Sequence, residues 1–226
     1  MTHIGTLREK ALHAALKQWY QQPGDMVEHP VDGYVIDLVR DDLLIEIQTT
    51  GFAGMKKKVS KLLAEGHRIR IVHPIAVERT IVKVGEDGTI ISRRRSPKHG
   101  AVTDIFTQLI SFPGLVVAAD LEVDVVLTDE EEYRTHSPGK AWRRNGWVIH
   151  ERRLQKVLGS ALLTSGAELI DLLPSQIPET FTTADLAARL GRPRRTAQQM
   201  AYCLRSANLI EPSGKQGNAI KYRRTH

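Results

Sequence analysis

Apolar residues recur along the first half of the chain with two different periods, and the switches between them read as helices alternating with strands. Leu7, Leu12, Ala15, Leu16 and Trp19 fall at helical spacing ahead of Pro23-Gly24, the stripe of an amphipathic helix stopped by residues that cannot continue it. Thr6-Leu-Arg-Glu9 has the form of a capping box, with Thr6 accepting from free amides and Glu9 reaching back to the cap. Short runs rich in Val, Ile and Leu follow over residues 25–31, 33–40 and 43–48, the last two separated by the turn Arg40-Asp41-Asp42. Met55, Val59, Leu62 and Leu63 restore a helical period to about Glu65, and residues 68–74 alternate as a strand closed by Pro74. Strands over 80–84 and 89–92 flank the hairpin signal Gly85-Glu-Asp-Gly88. A helix from about Val102 to Phe112 and a strand over 121–127 complete an α/β pattern, with Asp129 to Glu132 as an acidic exit.

Two carboxylates interrupt these apolar runs. The short turn brings Asp37 and Glu46 side by side on neighbouring strands. Alternation groups Asp37 with Val35 and Val39, and Glu46 with Leu44 and Gln48. An acid among valines must be paired, protonated or metal-bound. Two hard oxygen ligands suit Mg²⁺ or Mn²⁺, which keep several waters and also bind phosphate, so a phosphodiester substrate follows. The competing account is that acids at strand ends are ordinary surface residues, as Asp41 and Asp42 are expected to be.

Asp37, eight residues, Glu46, one apolar residue and Gln48, then a Lys-rich helix and a further strand, resemble the core of the PD-(D/E)XK nuclease superfamily in an E-x-Q variant. The resemblance implies a restriction-endonuclease-like mixed sheet flanked by helices. It also implies that Asp37 and Glu46 hold the metal together with the backbone carbonyl of Ile47. Gln48 stands where Lys is usual; it cannot take up a proton, so it would orient the attacking water while the metal supplies most of the hydroxide. Lys56, Lys57 or Lys58 on the following helix would stand in for the missing Lys, and Glu9 would hold a metal-bound water. The plainer roles are a solvated basic helix face for the lysines and capping alone for Glu9.

The last sixty residues carry a second pattern. Ala167 to Leu173 reads as a helix, Phe181-Thr-Thr as an extended piece, and Thr183 to Leu190 as a capped helix ended by Gly191. Pro193 opens a helix running to about Ser206, and residues 208–212 and 219–223 flank Ser213-Gly-Lys-Gln-Gly217. This succession resembles a winged helix-turn-helix. Ala197, Met200, Ala201 and Leu204 make the inward stripe of the second helix, with Cys203 as a packing residue. Arg194, Arg195, Thr196, Gln198, Gln199 and Tyr202 are expected outward, types that reach phosphates and base edges. Lys215, Lys221, Arg223 and Arg224 would clamp the backbone through the wing. A winged helix used for protein contact is the bland alternative.

Between the two patterns lies Trp142-Arg-Arg-Asn-Gly-Trp147, then a helix expected from about Glu151 to Leu163 as a stiff link. Aromatic and Arg groups together can stack on bases, though burial of the tryptophans at a domain junction is the reading preferred from sequence.

Composition sharpens the division. The chain has 226 residues and a net charge of +6. Residues 1–136 carry −3 and residues 137–226 carry +9, so a carboxylate-bearing half stands beside a basic one suited to nucleic acid. The single Cys203 excludes an internal disulfide and a Cys-based zinc site and suits a reducing cytoplasm. No apolar run approaches transmembrane length. No histidine pair at ligand spacing, Ser-His-Asp set or phosphate loop is visible. The chain is therefore expected to hold a nuclease-like domain over 1–136, a linking helix over 137–163 and a winged helix-turn-helix over 164–226. It would act as a cytoplasmic, metal-dependent DNA endonuclease, possible as a homodimer and without membrane contact. The alternatives are a nuclease-fold DNA-binding regulator without activity and a winged-helix assembly factor.

Overall fold

The computed structural model describes residues 10–115 and 117–225; the Thr6–Glu9 cap, and with it the role given to Glu9, lies outside the described residues. Helix α1 (Ala11–Tyr20) buries Leu12 and Leu16 against Leu38, Ile45, Ile47, Val72 and Val126 on one face of the main sheet. Strands β1 (Met26–Val31), β2 (Tyr34–Arg40) and β3 (Leu43–Ile47) form an antiparallel meander. Its first turn is tight because Asp32 and Gly33 both take positive φ, a conformation open to few residue types. Helix α2 (Lys56–Ala64) carries the chain over the opposite face to β4 (Arg68–Val84), parallel to β3. Strand β5 (Ile90–Arg95) folds back on the far half of β4. A 3₁₀ turn (Val102–Ile105) and helix α3 (Phe106–Leu109) lead to β6 (Leu121–His136), parallel to β4, and β7 (Trp147–Leu163) returns antiparallel to β6. The result is a mixed sheet in the order β1-β2-β3-β4-β6-β7, with β5 beside β4, flanked by helices on both faces.

Three sequence expectations change. Residues 68–74 and 80–84 are one strand with a bulge between Ala76 and Glu78, and Pro74 lies inside it. Its missing N–H costs nothing there: β3 ends opposite Val72, so the edge of β4 that Pro74 faces has already lost its neighbour. Strand β6 continues to His136, so the acidic exit is strand, with Glu130, Glu131 and Glu132 buried. Each is answered by cations. Arg79 and Arg134 meet Glu132 at 3.6 and 2.5 Å, Arg152 meets it at 3.4 Å, Arg79 reaches Glu130 at 3.5 Å, and Arg93 pairs with Glu131. Burial alone would raise the Glu132 pKa, yet the three guanidiniums hold it below the ordinary value. Lastly, residues 151–163 are not a linking helix but part of β7, because the long open edge of β6 pairs their backbone and overrides a weak local helical pattern.

The C-terminal unit begins with α4 (Gly166–Asp171), capped by Ser165. Strand β8 (Phe181–Thr182) leads into α5 (Thr183–Leu190), whose capping box joins Thr182 and Asp185 and which ends on Gly191 at φ 60°. Helix α6 (Arg194–Ser206) follows, then the hairpin of β9 (Ile210–Gln216) and β10 (Ala219–Arg224), with sheet order β8-β10-β9. The hairpin turn is Gly217-Asn218, so Ser213 to Gln216 are strand residues. Phe181, Leu186, Ala197, Met200, Cys203 and Leu204 join the core cluster that contains Phe106, Leu109 and Phe112, and burial pushes the Cys203 thiol up to about 12. Arg192 ties the unit to the main sheet's loops through the His99 carbonyl at 2.7 Å and Asp104 at 3.5 Å. Among the described residues no helix is long and apolar enough to cross a membrane.

One buried group makes the end of β3 sensitive to acid. Burial lowers the His73 pKa to about 4, against its 2.6 Å bond to the Gln48 carbonyl, and the ring packs edge-on to Phe52. Because the folded value lies below the unfolded one near 6.5, this contribution is complete above pH 6.5 and is lost as pH falls toward 4. Denaturation of the native chain should lose up to about 3 kcal/mol from this group over that window. His73→Asn, which donates to the same carbonyl without titrating, should show a flatter pH dependence; equal slopes would remove His73 as the cause.

Candidate active site

The β2–β3 ladder is bridged from Arg40↔Leu43 to Leu38↔Ile45, and one residue further on the two acids take it over. The Asp37 carboxylate accepts the Ile47 amide at 2.8 Å, and the Asp37 amide lies near enough to the Glu46 carboxyl to favour its ionised form. The strands therefore part where side chains replace carbonyls as acceptors. Strict alternation fails at the same place: Ile36 and Val39 enter one core cluster and Leu38 the other, while Val35 is exposed. The valine-lined face expected around Asp37 is not formed.

Each acid has its own basic partner. His13 Nε2 lies 3.3 Å from Asp37 Oδ2, and Lys58 Nζ lies 2.5 Å from Glu46 Oε1 while also donating to the Val35 carbonyl at 2.8 Å. One turn after His13, Lys17 meets Glu28 at 2.9 Å. The β1–β2 register sets Glu28 across from Asp37, and extending the β2–β3 register sets Asp37 across from Glu46. Three acids on three adjacent strands thus stand in register, Asp37 and Glu28 met from α1 by His13 and Lys17, and Glu46 met from α2 on the other face by Lys58. His13, Lys17 and Glu28 were missed from sequence; the i, i+4 pair His13/Lys17 flanking the buried Leu12 and Leu16 is the signal that points to them. Among the described residues no group of three or more His, Cys, Asp or Glu converges as a metal cluster.

The carboxylates titrate in opposite directions. Burial works to raise Asp37, but hydrogen bonding and charge from His13, with the Ile47 amide, hold its pKa below the usual carboxylate value. Glu46 is raised, chiefly by burial and further by the charge of Asp37, with Lys58 opposing. Both contacts of Asp37 fall on Oδ2, leaving Oδ1 outside them. Residues of an extended strand direct N–H and C=O to the same edge; the Ile47 amide turns to Asp37, so its carbonyl points into the same parting of the strands. Two carboxylates, one lowered and one raised in pKa, and a peptide oxygen are donor types that a divalent cation takes.

The other expected site residues separate. Gln48 donates from Nε2 to Thr50 Oγ1 at 3.1 Å and to the Gly51 carbonyl at 2.8 Å, so its amide nitrogen braces the loop after β3 rather than orienting a water. Lys56 and Lys57 are exposed, and Lys58 alone of the three turns to the acids. On α6, Arg194, Arg195 and Gln198 are exposed and Tyr202 is 54% exposed, but Thr196 is turned inward, 7% exposed, and Gln199 is half-buried. Thr196 fails the outward expectation because it lies beside the buried Ala197, against the main-sheet unit. Lys215 is exposed, Lys221 half-buried, and Arg223 pairs with Glu211 at 2.7 Å. Arg205, not singled out from sequence, joins Arg194, Gln198, Tyr202 and Asn218 around an open hollow of about 290 Å³ between α6 and the β9–β10 hairpin. A larger hollow of about 880 Å³ runs from the Thr49–Gly51 loop past Arg79, Lys98, His99 and Arg152 to Arg192 and Thr196. It connects the loop at the end of β3 with the start of α6 along a basic wall.

Residues 10–164 match the model of a family described as Domain of unknown function (DUF8091), an extent that closes one residue after β7. A Treponema pallidum (strain Nichols) protein described as uncharacterized is 28% identical over 222 residues, covering 98% of this chain and 87% of the relative. No solved structure matches.

The charge row makes a direct prediction. Lys58→Met removes the group that opposes the rise of Glu46, so the Glu46 carboxyl, followed by ¹³C NMR, should titrate at still higher pH than in the native chain. An unmoved or lowered midpoint would show that Lys58 does not govern it.

Proposed function

The chain belongs to the DUF8091 family, and we propose that it is a metal-dependent DNA endonuclease of PD-(D/E)XK type, guided by a C-terminal winged helix. The observation that carries this reading is the parting of β2 and β3 around Asp37 and Glu46, with Lys58 at hydrogen-bond distance from the second acid. In this reading Asp37, Glu46 and the Ile47 carbonyl hold Mg²⁺ or Mn²⁺, which supplies an activated water and charge for the phosphate. Lys58 takes the place of the Lys missing at Gln48: reaching the site from α2, it keeps Glu46 anionic and offers a proton-bearing group beside the attacking water. His13 holds Asp37 ionised and oriented, and the loop braced by Gln48 bounds the site.

The DNA grip is drawn from α6 and the hairpin behind it. Arg194, Arg195, Gln198, Tyr202 and Arg205 present donors and an aromatic ring on one face, the side-chain set that meets phosphates and base edges. Lys215 and Arg224, both exposed, extend the positive surface along the hairpin. The basic hollow between the units offers a path for backbone toward the catalytic end of β3. A homodimer in a reducing cytoplasm completes the proposal, since paired cuts need two sites. A second reading, a DNA-binding protein without cleavage, draws on the basic partners, Lys58 and His13, that the two acids already hold.

With Mg²⁺ or Mn²⁺ the purified protein should cut DNA, and Asp37→Asn or Glu46→Gln should slow cutting by at least about 100-fold, the scale of losing a metal-site partner, while leaving the fold intact. Arg194→Ala and Arg195→Ala should each weaken duplex binding and reduce the log–log salt slope by about 1. Binding without cleavage under either metal would select the second reading. Binding that ignores salt would remove nucleic acid altogether.

A further inference from the structure

Strands β6 and β7 run well past the meander and end in a hairpin tip, residues 137–146, that the proposed duplex grip does not use. Trp142 stands on this tip with 78% of its surface exposed, although indole is among the side chains with most to gain from burial. Neither tryptophan is buried at a domain junction as the sequence suggested: Trp147 is half-buried within the β6–β7 hairpin beside His136, with Lys83 over its ring at 4.4 Å, while Trp142 projects. Arg143 lies over the Trp142 ring at 5.0 Å. Lys140, Arg143 and Arg144 are exposed, and no acid occurs between Ser137 and Trp147.

The loop that carries the ring is fastened. Ser137 N–H donates to the Gly146 carbonyl at 2.8 Å, Arg144 N–H to Ala141 at 2.7 Å and Asn145 N–H to Trp142 at 3.1 Å. Ala141 and Asn145 both take left-handed φ, and Gly146, at φ 81°, lies so close to the His136 ring that a Cβ would come within 2.6 Å of it. A loop fastened in this way has its backbone ordered before any partner arrives, which lowers the entropic cost of binding.

We infer that this tip is a second nucleic-acid contact, in which the Trp142 indole stacks on an unpaired base while Arg143, Arg144 and Lys140 take the neighbouring phosphates. Stacking needs only an exposed aromatic face and a splayed base, and flanking cations supply the salt-dependent part of the affinity. The inference rests on the reading of the chain as a DNA-acting protein, and adds that it holds single-stranded as well as duplex segments.

Fluorescence anisotropy with a dT₂₀ strand and with a 20-base-pair duplex tests it on the full chain. Trp142→Ala should weaken dT₂₀ binding roughly 5- to 100-fold and change duplex affinity less than twofold, with Trp142→Phe recovering most of the loss. Tryptophan emission should be quenched by dT₂₀ in the native protein and not in Trp142→Phe, and Arg144→Ala should lower the single-strand salt slope by about 0.7. Unchanged dT₂₀ affinity in Trp142→Ala, or an equal loss for strand and duplex, overturns the assignment. Duplex binding without dT₂₀ binding in the native chain sinks the tip alone, whereas failure to bind either at low salt sinks the endonuclease reading with it.

Discussion

A carboxylate placed inside a β-sheet has to be answered by a neighbour, and this constraint organises the molecule at both ends of its main sheet. Removing an ion from water costs several kcal/mol unless partners replace the lost solvation. At the β2–β3 end the partners are a backbone amide and one basic side chain per acid: Ile47 N–H and His13 for Asp37, Lys58 for Glu46. At the far end Glu130, Glu131 and Glu132 are answered by arginines from β4, β5, β6 and β7. The first arrangement opens the sheet. The second stitches four strands into a stiff extension.

The two ends differ in what they leave over. The arginine network is inward and nearly complete, with one unpartnered polar atom, Arg79 Nε, among the described residues of that region. It buries acid to hold strands in register, and the long β6–β7 hairpin it supports carries Trp142 outward. At the β2–β3 end the contacts of Asp37 with Ile47 and His13 use one carboxylate oxygen, Oδ2, and leave the other outside them. That contrast is why the Asp37–Glu46 pair, and not the more acidic stretch of β6, is the candidate centre.

The proposed endonuclease joins these parts through one continuous core. Because α6 packs on α3 and Arg192, just ahead of α6, bonds the segment after β5, the exposed Arg194–Arg205 face is held in fixed relation to the end of β3. The basic hollow between them lies against the Gln48 loop, whose position His73 and Phe52 secure from below.

The amino-acid order alone determined a good deal. The meander with its acids at residues 37 and 46, α2 with its lysines, and the α5–α6 pair ended by Gly191 are all local patterns, set by period, turn residues and caps that act over a few positions. The separation of charge between the halves is likewise written in composition. What the tertiary structure decided depends on partners distant in sequence. Residues 151–163 became a strand because β6 offered an unpaired edge, and Pro74 stayed within β4 because β3 had already ended beside it. Lys58 was selected over Lys56 by helix phase against the sheet, His13 reached Asp37 only once α1 packed on the sheet, and Thr196 turned inward against a neighbouring unit. Pairing energies of this kind are gained between elements, so no window of sequence contains them.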